Sequence, residues 1–416
     1  MELEKLQTEC CVAGGGPAGM MVGFLLARAG IDTVVLEKHA DFLRDFRGDT
    51  VHPSTLELMY ELGFLQEFLK RAHQELPRLK GQIGQKEFVV ADFSALPTHC
   101  RFIVLMPQWD FLNFLAEKAQ RYPAFHLKME AEVTGLKEDA GRIVGLHAKT
   151  PQGELEVRSK LVMGADGRSS LVRDRSGLQV DDIGAPMDVL WMRLHRHSSD
   201  SGMLLRVDRG KVLVMLDRGE YWQTGLVIPK GGAEQIKQKG IEALRTSITE
   251  VAPFLEDRVS ELRSWDDIKL LTVKVDRLQK WSRPGLLCIG DAAHAMSPIG
   301  GVGINLALQD AVAAANILAE AFRKGMDPSE SLPAVQRRRE LPTRLTQGAQ
   351  VTIQNRITAP VLASSKPVRA PWFLPLLERA TRRLRSRFLG LGFRPEHIKT
   401  ADVAKTPGVA VVRFAR

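Results

Sequence analysis

The sequence predicts an α/β fold. A strand–helix–strand domain is interrupted by an inserted antiparallel sheet and followed by a helical C-terminal segment. Three observations predict it. Between Thr8 and Lys38 an apolar run, a glycine-rich turn, a helical pattern, a second apolar run and an acid follow one another. Between Met187 and Pro229 the texture changes to short strand-like runs divided by turns. From Leu286 a third apolar run passes through Gly290-Asp291 and a Pro/Gly-rich loop into a long Ala-rich helical pattern.

The first stretch opens with Cys10 to Ala13, a short buried strand. Gly14, Gly16 and Gly19 follow as G-x-G-x-x-G, with Pro17 and Ala18 inside the spacing. Met20 to Ala29 reads as a helix stopped by Gly30, and Thr33 to Leu36 as a second buried strand closed by Glu37 and Lys38. Gly14 lets the chain turn, Gly16 lets backbone approach a pyrophosphate, and Gly19 lets the helix pack on the strand. The helix N-terminus offers free N–H groups and partial positive charge to phosphates. Glu37, about 20 residues past the glycines, can accept from ribose hydroxyls. A tight turn without a ligand would need only the glycines; the strand, helix and acid around them point to a bound dinucleotide.

At 416 residues, the chain can bury a large core in two or three structural units. Lysine plus arginine exceed aspartate plus glutamate, 58 to 49, for a net charge of +9. These charges are scattered, which favours an anionic cofactor and general solubility over nucleic acid. Cys10, Cys11, Cys100 and Cys288 form no C-x-x-C pair and no zinc-spaced Cys/His cluster, so no metal site is expected. Buried free thiols in a reducing compartment fit them best. The charged start MELEKLQTE lacks the apolar core of a signal peptide, no run of about 18 apolar residues stands out, and a cytoplasmic location is the default expectation.

His39 to Thr50 is a charged loop carrying Arg44 and Arg47, placed where an arginine can reach phosphates. Pro53 starts a helix ended by Gly63. Glu87 to Phe93 is a strand, Asp110 to Ala119 a helix, and Val133–Lys137 with Ile143–Ala148 a hairpin around Asp139 to Gly141. Glu154 to Val162 continues the β region into Gly164-Ala165-Asp166-Gly167, where Asp166 can reach a sugar or a phosphate-bound water. Val189–His195, Met203–Val207, Lys211–Leu216 and Tyr221–Ile228 predict an antiparallel meander. Ala233 to Val251 is expected to be one amphipathic helix. Asp291 ends the Leu286–Ile289 strand where ligands bind in open α/β sheets. Pro298, Gly300, Gly301 and Gly303 then precede a second helix N-terminus able to stabilise negative charge on a reduced ring system.

With these three ordered motifs the chain resembles the group A flavoprotein monooxygenases, the para-hydroxybenzoate hydroxylase-like FAD enzymes, over about Thr8 to Gln336. The resemblance implies an FAD-binding, Rossmann-like domain of the glutathione-reductase type, formed by 1–75, 98–180 and 270–344. A β-sheet substrate domain would comprise 76–97 and 181–269, and a helical region 345–416. It implies that Gly14, Gly16, Pro17, Ala18, Gly19, Glu37 and Lys38 hold the adenylate half, and that Asp166 handles FAD and the nicotinamide. Asp291, Pro298, Gly301, Val302, Gly303, Ile304 and Asn305 would surround ribitol and isoalloxazine. By the same similarity Arg47 would touch the pyrophosphate or the arriving nicotinamide cofactor, Gln108 would make a polar FAD contact, and Val133 would face the adenine. The implied chemistry is reduction of FAD by NADPH or NADH, addition of O2 to give a C4a-hydroperoxide, and hydroxylation of an electron-rich small molecule. The family often has Gln where this chain has Val302. Only three tyrosines occur, so a tyrosine relay for phenol deprotonation is not evident. Two other classes stay open: a related FAD oxidase or dehydrogenase that inserts no oxygen, and a non-catalytic, redox-sensing flavoprotein.

Residues for acid–base work are not fixed by these patterns. His294 fits a structural hydrogen bond better than a proton donor, and His195 and His197 lie at a strand end. Met192 (with Leu190 and Leu194), Leu213 and Met215 share strand faces and, with Gln223, are the candidate floor of a hydrophobic substrate pocket, although core packing explains them equally. Thr381 to Leu391 sets Arg382, Arg383, Arg385 and Arg387 among leucines. Such a stretch can touch an anionic membrane, but packs more often on its own domain with the arginines solvated. Oligomeric state is not legible.

Overall fold

A computed structural model describes residues 3–43, 50–200, 202 and 204–405. Its first layer is an eight-stranded sheet. Along its main path Ser282–Arg283, Leu286–Cys288, Gly153–Gly164, Glu4–Ala13, Thr33–Leu36 and Phe125–Lys128 stand side by side. All neighbours on this path are parallel except the short edge pair Ser282–Arg283 and Leu286–Cys288. The expected hairpin is present as Glu132–Asp139 with Arg142–Thr150, antiparallel to Gly153–Gly164.

Register decides what this sheet does. Ala13 pairs with both Leu36 and Gly164, and Gly164 pairs with Cys288. The strands therefore end in one row, and Gly14, Glu37, Ala165-Asp166 and Gly290-Asp291 leave the sheet at one carboxyl edge. That is the crevice in which open α/β sheets bind ligands. The Pro17–Arg28 and Gly303–Arg323 helices pack against each other over the sheet. Ile299–Arg323 is long and apolar enough to cross a bilayer, but 78% of its apolar window is buried inside the protein, which marks it as a core helix. All four cysteines are buried free thiols, and burial pushes the Cys10 and Cys11 thiols up from their ordinary range.

The second layer is a seven-stranded sheet. Its order is Lys269–Leu271, Met187–His195, Tyr221–Pro229, Lys211–Asp217, Leu205–Asp208, Arg78–Ile83, Lys86–Asp92. It is not the simple meander expected. Met187–His195 pairs along its whole length with Tyr221–Pro229, and Leu205–Asp208 pairs parallel with Arg78–Ile83. The connection between Met187–His195 and Leu205–Asp208 is long enough to cross the sheet, so the Arg78–Asp92 hairpin closes the edge instead. The helix expected over 233–251 is two, Ala233–Gln238 and Ile241–Thr249, divided at Gly240, whose φ of 85° only glycine adopts readily. After the helix Gly303–Arg323, Leu332–Ile353 runs through position 345 into the π-helical turn Gln354–Thr358 and the short helix Ala359–Leu362. A last helix, Leu374–Leu391, lies on strand Lys86–Asp92.

Candidate active site

The first cradle, at the G-x-G-x-x-G turn, is built from backbone. Gly16 caps Pro17–Arg28 with no side-chain hydrogen bond, so the N–H groups of Ala18 and Gly19 keep their helix-terminal donors. A Cβ at Gly16 would meet nothing within 4 Å, whereas one on Gly19 would lie 1.9 Å from the Gly14 carbonyl oxygen. Open space thus lies in front of the helix end and solid backbone behind it. Glu37 is buried; Oε2 accepts from Gly15 N–H at 3.0 Å and Oε1 from His39 N–H at 3.1 Å. Gly15 was not singled out by spacing, yet its N–H fixes the carboxylate that would hold the ribose. Lys38 is exposed just beyond. Ala131 N–H donates to the Glu37 carbonyl at 2.9 Å, and half-buried Val133 follows two residues on. Arg44 and Arg47 lie outside the described residues. Gln108, half-buried, opens the helix Gln108–Ala119.

The two acidic motifs meet over this cradle. A Cβ on Gly14 would come within 2.5 Å of the Ala165 carbonyl oxygen, and Ala165 N–H donates to Ala13 at 2.8 Å. Asp166 is committed inside its own turn: Oδ1 accepts from Ser170 Oγ at 2.5 Å and Oδ2 from Val172 N–H at 3.1 Å. Burial pushes its carboxyl above the ordinary range against those hydrogen bonds. Its first task is to hold the turn. The residue that reaches across is Arg168, which sequence spacing did not flag; Arg168 Nη2 lies 3.4 Å from Asp291 Oδ2. Asp291 is partly exposed at the row of strand ends. Behind it, a Cβ on Gly290 would touch Ala307 at 3.1 Å and Ala18 at 3.2 Å, so both helix N-termini converge on one point. Asp291→Ala is expected to weaken FAD binding by about 1–3 kcal/mol, through loss of a hydrogen-bonding carboxylate. Titration of apoprotein with FAD checks this, and an unchanged Kd in a folded variant excludes Asp291 as a holder of the cofactor.

The loop over the second helix follows. Pro298 leads into a glycine turn in which Gly300 and Gly301 have φ of 80° and 62°. Val302 is the N-cap of Gly303–Arg323 and makes no side-chain cap; a Cβ on Gly303 would meet nothing within 4 Å. Ile304 packs partly buried against the main core. Asn305 is spent on scaffolding. Its Oδ1 accepts from His52 N–H at 2.9 Å and Thr55 Oγ1 at 2.8 Å, and its Nδ2 donates to Thr50 at 3.2 Å. Thr50 Oγ1 donates to the Gly301 carbonyl at 2.9 Å. Gln350 Nε2 donates to the Ser297 and Ile299 carbonyls at 2.9 and 2.8 Å, clamping the loop from the other side.

His52 is the member of this cluster that no sequence signal marked. It is fully buried, and Nδ1–H donates to the Leu389 carbonyl at 2.5 Å. Burial lowers it from 6.5 to about 4 against the hydrogen bonds to Leu389 and Gly301. The folded state holds it neutral while the unfolded chain takes up a proton. Its contribution is therefore fully present above pH 6.5 and lost as pH falls toward 4. Summed over that window the loss is about 3 kcal/mol. His52→Gln should flatten the acid limb of stability in urea titrations between those pH values; an unaltered limb would show that His52 does not set it.

His294 takes the structural part. Its Nε2 lies 2.5 Å from Asp310 Oδ2, and Gly290 N–H donates to the same carboxylate at 3.2 Å. His195 and His197 sit at an exposed sheet end near Glu261 and Asp257, away from the motifs.

The substrate floor needs a correction. Met192, Leu213 and Met215 are buried among Leu244, Ile248 and Leu255, beneath the two helices of the inserted domain. The other face of the same strands carries Val189, Trp191, Val212 and Leu216, packed with Ile103, Leu105 and Ile299 beside the glycine loop. Alternation on a strand has a period of two, so choosing the wrong parity exchanges the faces. Gln223 lies on the loop-facing parity, where its Oε1 accepts from Arg218. Trp191 lies flat over Gly225, where a Cβ would sit 2.9 Å from its ring. The Trp191 indole nitrogen and both amide ends of Gln354 are buried without hydrogen-bond partners among the described residues.

These features fit FAD: two uncapped helix N-termini with open space before them, an acid at the ribose position, and a glycine loop facing an apolar sheet. The comparisons agree. A family model described as FAD binding domain matches residues 7–349. The 6-methylpretetramide 4-monooxygenase of Streptomyces rimosus is 33% identical over 365 residues, covering 86% of this chain and 87% of that protein. The 12-dehydrotetracycline 5-monooxygenase/anhydrotetracycline 6-monooxygenase of Streptomyces rimosus subsp. rimosus is 27% identical over 319 residues, 74% of this chain and 61% of its own length. In fold, PqsL of P. aeruginosa in complex with 2-aminobenzoylacetate is similar with a TM-score of 0.73 at 22% identity, covering 86% of this chain and 98% of that one. The chain is thus an FAD-dependent monooxygenase and belongs to the FAD-binding-domain family in its para-hydroxybenzoate hydroxylase-like group.

Proposed function

We propose that the enzyme hydroxylates a polycyclic, polyketide-like aromatic molecule, using NADPH or NADH as reductant. Bound FAD supplies the redox chemistry: it accepts a hydride and lets one atom of O2 enter the substrate while the other leaves as water. The chain's residues hold and shelter it. The two helix ends and Glu37 would hold the nucleotide, Arg168 and Asp291 would brace its ribitol side, and the hydrogen bonds of Thr50, Asn305 and Gln350 would keep the glycine loop in place. The observation that carries the substrate class is the loop-facing sheet surface. It is apolar, yet holds a buried indole N–H at Trp191 with no acceptor among the described residues. A hydroxyl or carbonyl on a flat ring system satisfies that donor while the rest of the ring displaces water. The S. rimosus relative is named for monooxygenation of 6-methylpretetramide.

The test is a panel of polycyclic phenols with the purified yellow protein, following NADPH and NADH oxidation and mass spectra under heavy-isotope O2. The expected result is substrate-stimulated oxidation and one labelled oxygen per product. Product without label would make this a flavoenzyme that inserts no oxygen. Oxidation that yields only hydrogen peroxide with every phenol would reject the substrate class.

A further inference from the structure

The last helix, Leu374–Leu391, is held along one side, chiefly by strand Lys86–Asp92 and at its C-terminal end by His52 and the helix Pro53–Glu61. Asp92 N–H donates to Ser386 Oγ at 2.9 Å, and Arg385 Nη1 donates to the Val89 and Val90 carbonyls at 2.9 and 3.0 Å. Gly390 sits so close that a Cβ there would lie 2.5 Å from Leu96. These contacts lock the rotation of the helix about its axis. The side turned outward carries Leu376, Leu377, Ala380 and Leu384, spaced i, i+1, i+4 and i+8 as one stripe. Leu376 and Leu384 are each 69% exposed, and Trp372, just ahead of the helix, is 86% exposed. Phe373 and Leu377 are exposed as well. Arg379, Arg383 and Arg387 flank the stripe and are exposed. From Arg369 to Leu391 the chain has six arginines and one acid, Glu378.

We propose that this face seats the enzyme on an anionic bilayer surface. The helix lies in the plane of the interface, with Trp372, Phe373 and the leucine stripe entering the headgroup–acyl boundary and the arginines at lipid phosphates. Large exposed apolar side chains cost free energy in water and stand in an unbroken stripe rather than singly. An apolar stripe bordered by arginines and started by Trp-Phe is the composition of an interfacial helix. Charge complementarity selects the occupant. A second copy docked through a two-fold axis would set this arginine-rich stripe against itself, whereas anionic lipid neutralises it. Apolar burial and phosphate attraction add together there, which neither an uncharged bilayer nor a like-charged protein face offers.

The test uses the full, FAD-loaded chain with vesicles of phosphatidylcholine alone or with added phosphatidylglycerol, read by co-sedimentation at low and high salt. Binding to the anionic vesicles only, weakened by salt, is expected, with a blue shift in tryptophan emission that Trp372→Phe removes. The pair Arg383→Gln and Arg387→Gln should lower partitioning on the order of twentyfold, about fivefold per arginine. Leu376→Gln with Leu384→Gln should abolish binding while leaving NADPH oxidation unchanged, which shows that the variant is folded. Protein remaining in the supernatant with every vesicle overturns the proposal. So does vesicle binding that none of these variants alters. A dimer that the leucine variant dissolves, in a protein that ignores vesicles, would assign the face to a second copy instead.

Discussion

Gly16→Val is expected to fold as stably as the parent and to bind FAD on the order of a hundredfold more weakly, while Gly19→Ala loses stability and cofactor together. The two positions lie three residues apart in one motif but meet different surroundings. Gly16 has φ −72° and ψ −178°, extended backbone that any residue adopts, and its Cβ would enter open space. Valine there costs the apoprotein nothing, and replacing glycine restricts the unfolded chain. Its methyl groups occupy the path by which backbone N–H groups reach the pyrophosphate, and overpacking of that kind costs about 1–3 kcal/mol. At Gly19 the added carbon would lie 1.9 Å from the Gly14 oxygen and 3.1 Å from its carbonyl carbon. Neither is a flexible side chain, so helix and strand must part. Thermal melts of the apoproteins and FAD titrations separate the cases. A Gly19→Ala apoprotein that melts with the parent, or a Gly16→Val protein that stays fully yellow, would sink the account of the cradle.

The second large effect lies deeper. Asp310 and Arg339 are fully buried, with Arg339 Nε 3.0 Å from Asp310 Oδ1 and Arg339 Nη1 3.3 Å from Glu396. Asp310 also holds His294 and the Gly290 N–H. Burial alone would push the Asp310 carboxyl up; the charges and hydrogen bonds of His294 and Arg339 outweigh it and hold it below its usual range. The network ties the turn before Asp291 to the helix Leu332–Ile353 and to the C-terminal segment at Glu396. Arg339→Leu removes the shared cation, leaving Asp310 with His294 alone and Glu396 with Arg338 alone, and breaking a buried pair from one side costs about 3–5 kcal/mol. Urea unfolding measures it. Adding Asp310→Asn to Arg339→Leu removes one of these buried charges and should recover part of the loss. A double variant that is worse by the sum of the two single effects would show that the groups do not act as a unit.

Much of this protein could be read without coordinates, and the limit falls where contacts stop being local. G-x-G-x-x-G between apolar runs, the acid after the second run, Gly164 to Gly167, and Gly290-Asp291 before a glycine loop are short-range patterns, because a tight turn and a helix start are made by neighbouring residues. They determined the α/β class, the order of the motifs and a dinucleotide site; FAD came from the family resemblance those motifs carry. Thr33–Leu36 begins and ends where apolar periodicity puts it. Only the tertiary structure decided which parity of the inserted strands faces the glycine loop, since both faces are apolar and a period of two has no sign. It alone showed Asp166 and Asn305 committed to scaffolding, Arg168 reaching Asp291, and His52 buried against Leu389, more than 300 residues away in sequence. The arginines of the last helix were legible as charges. That its leucines face outward was not, because the surface against which a helix packs is fixed by Ser386, Gly390 and a strand nearly 300 residues earlier. Local physics writes the elements into the chain; their registers and faces are settled only when distant segments compete for the same buried area.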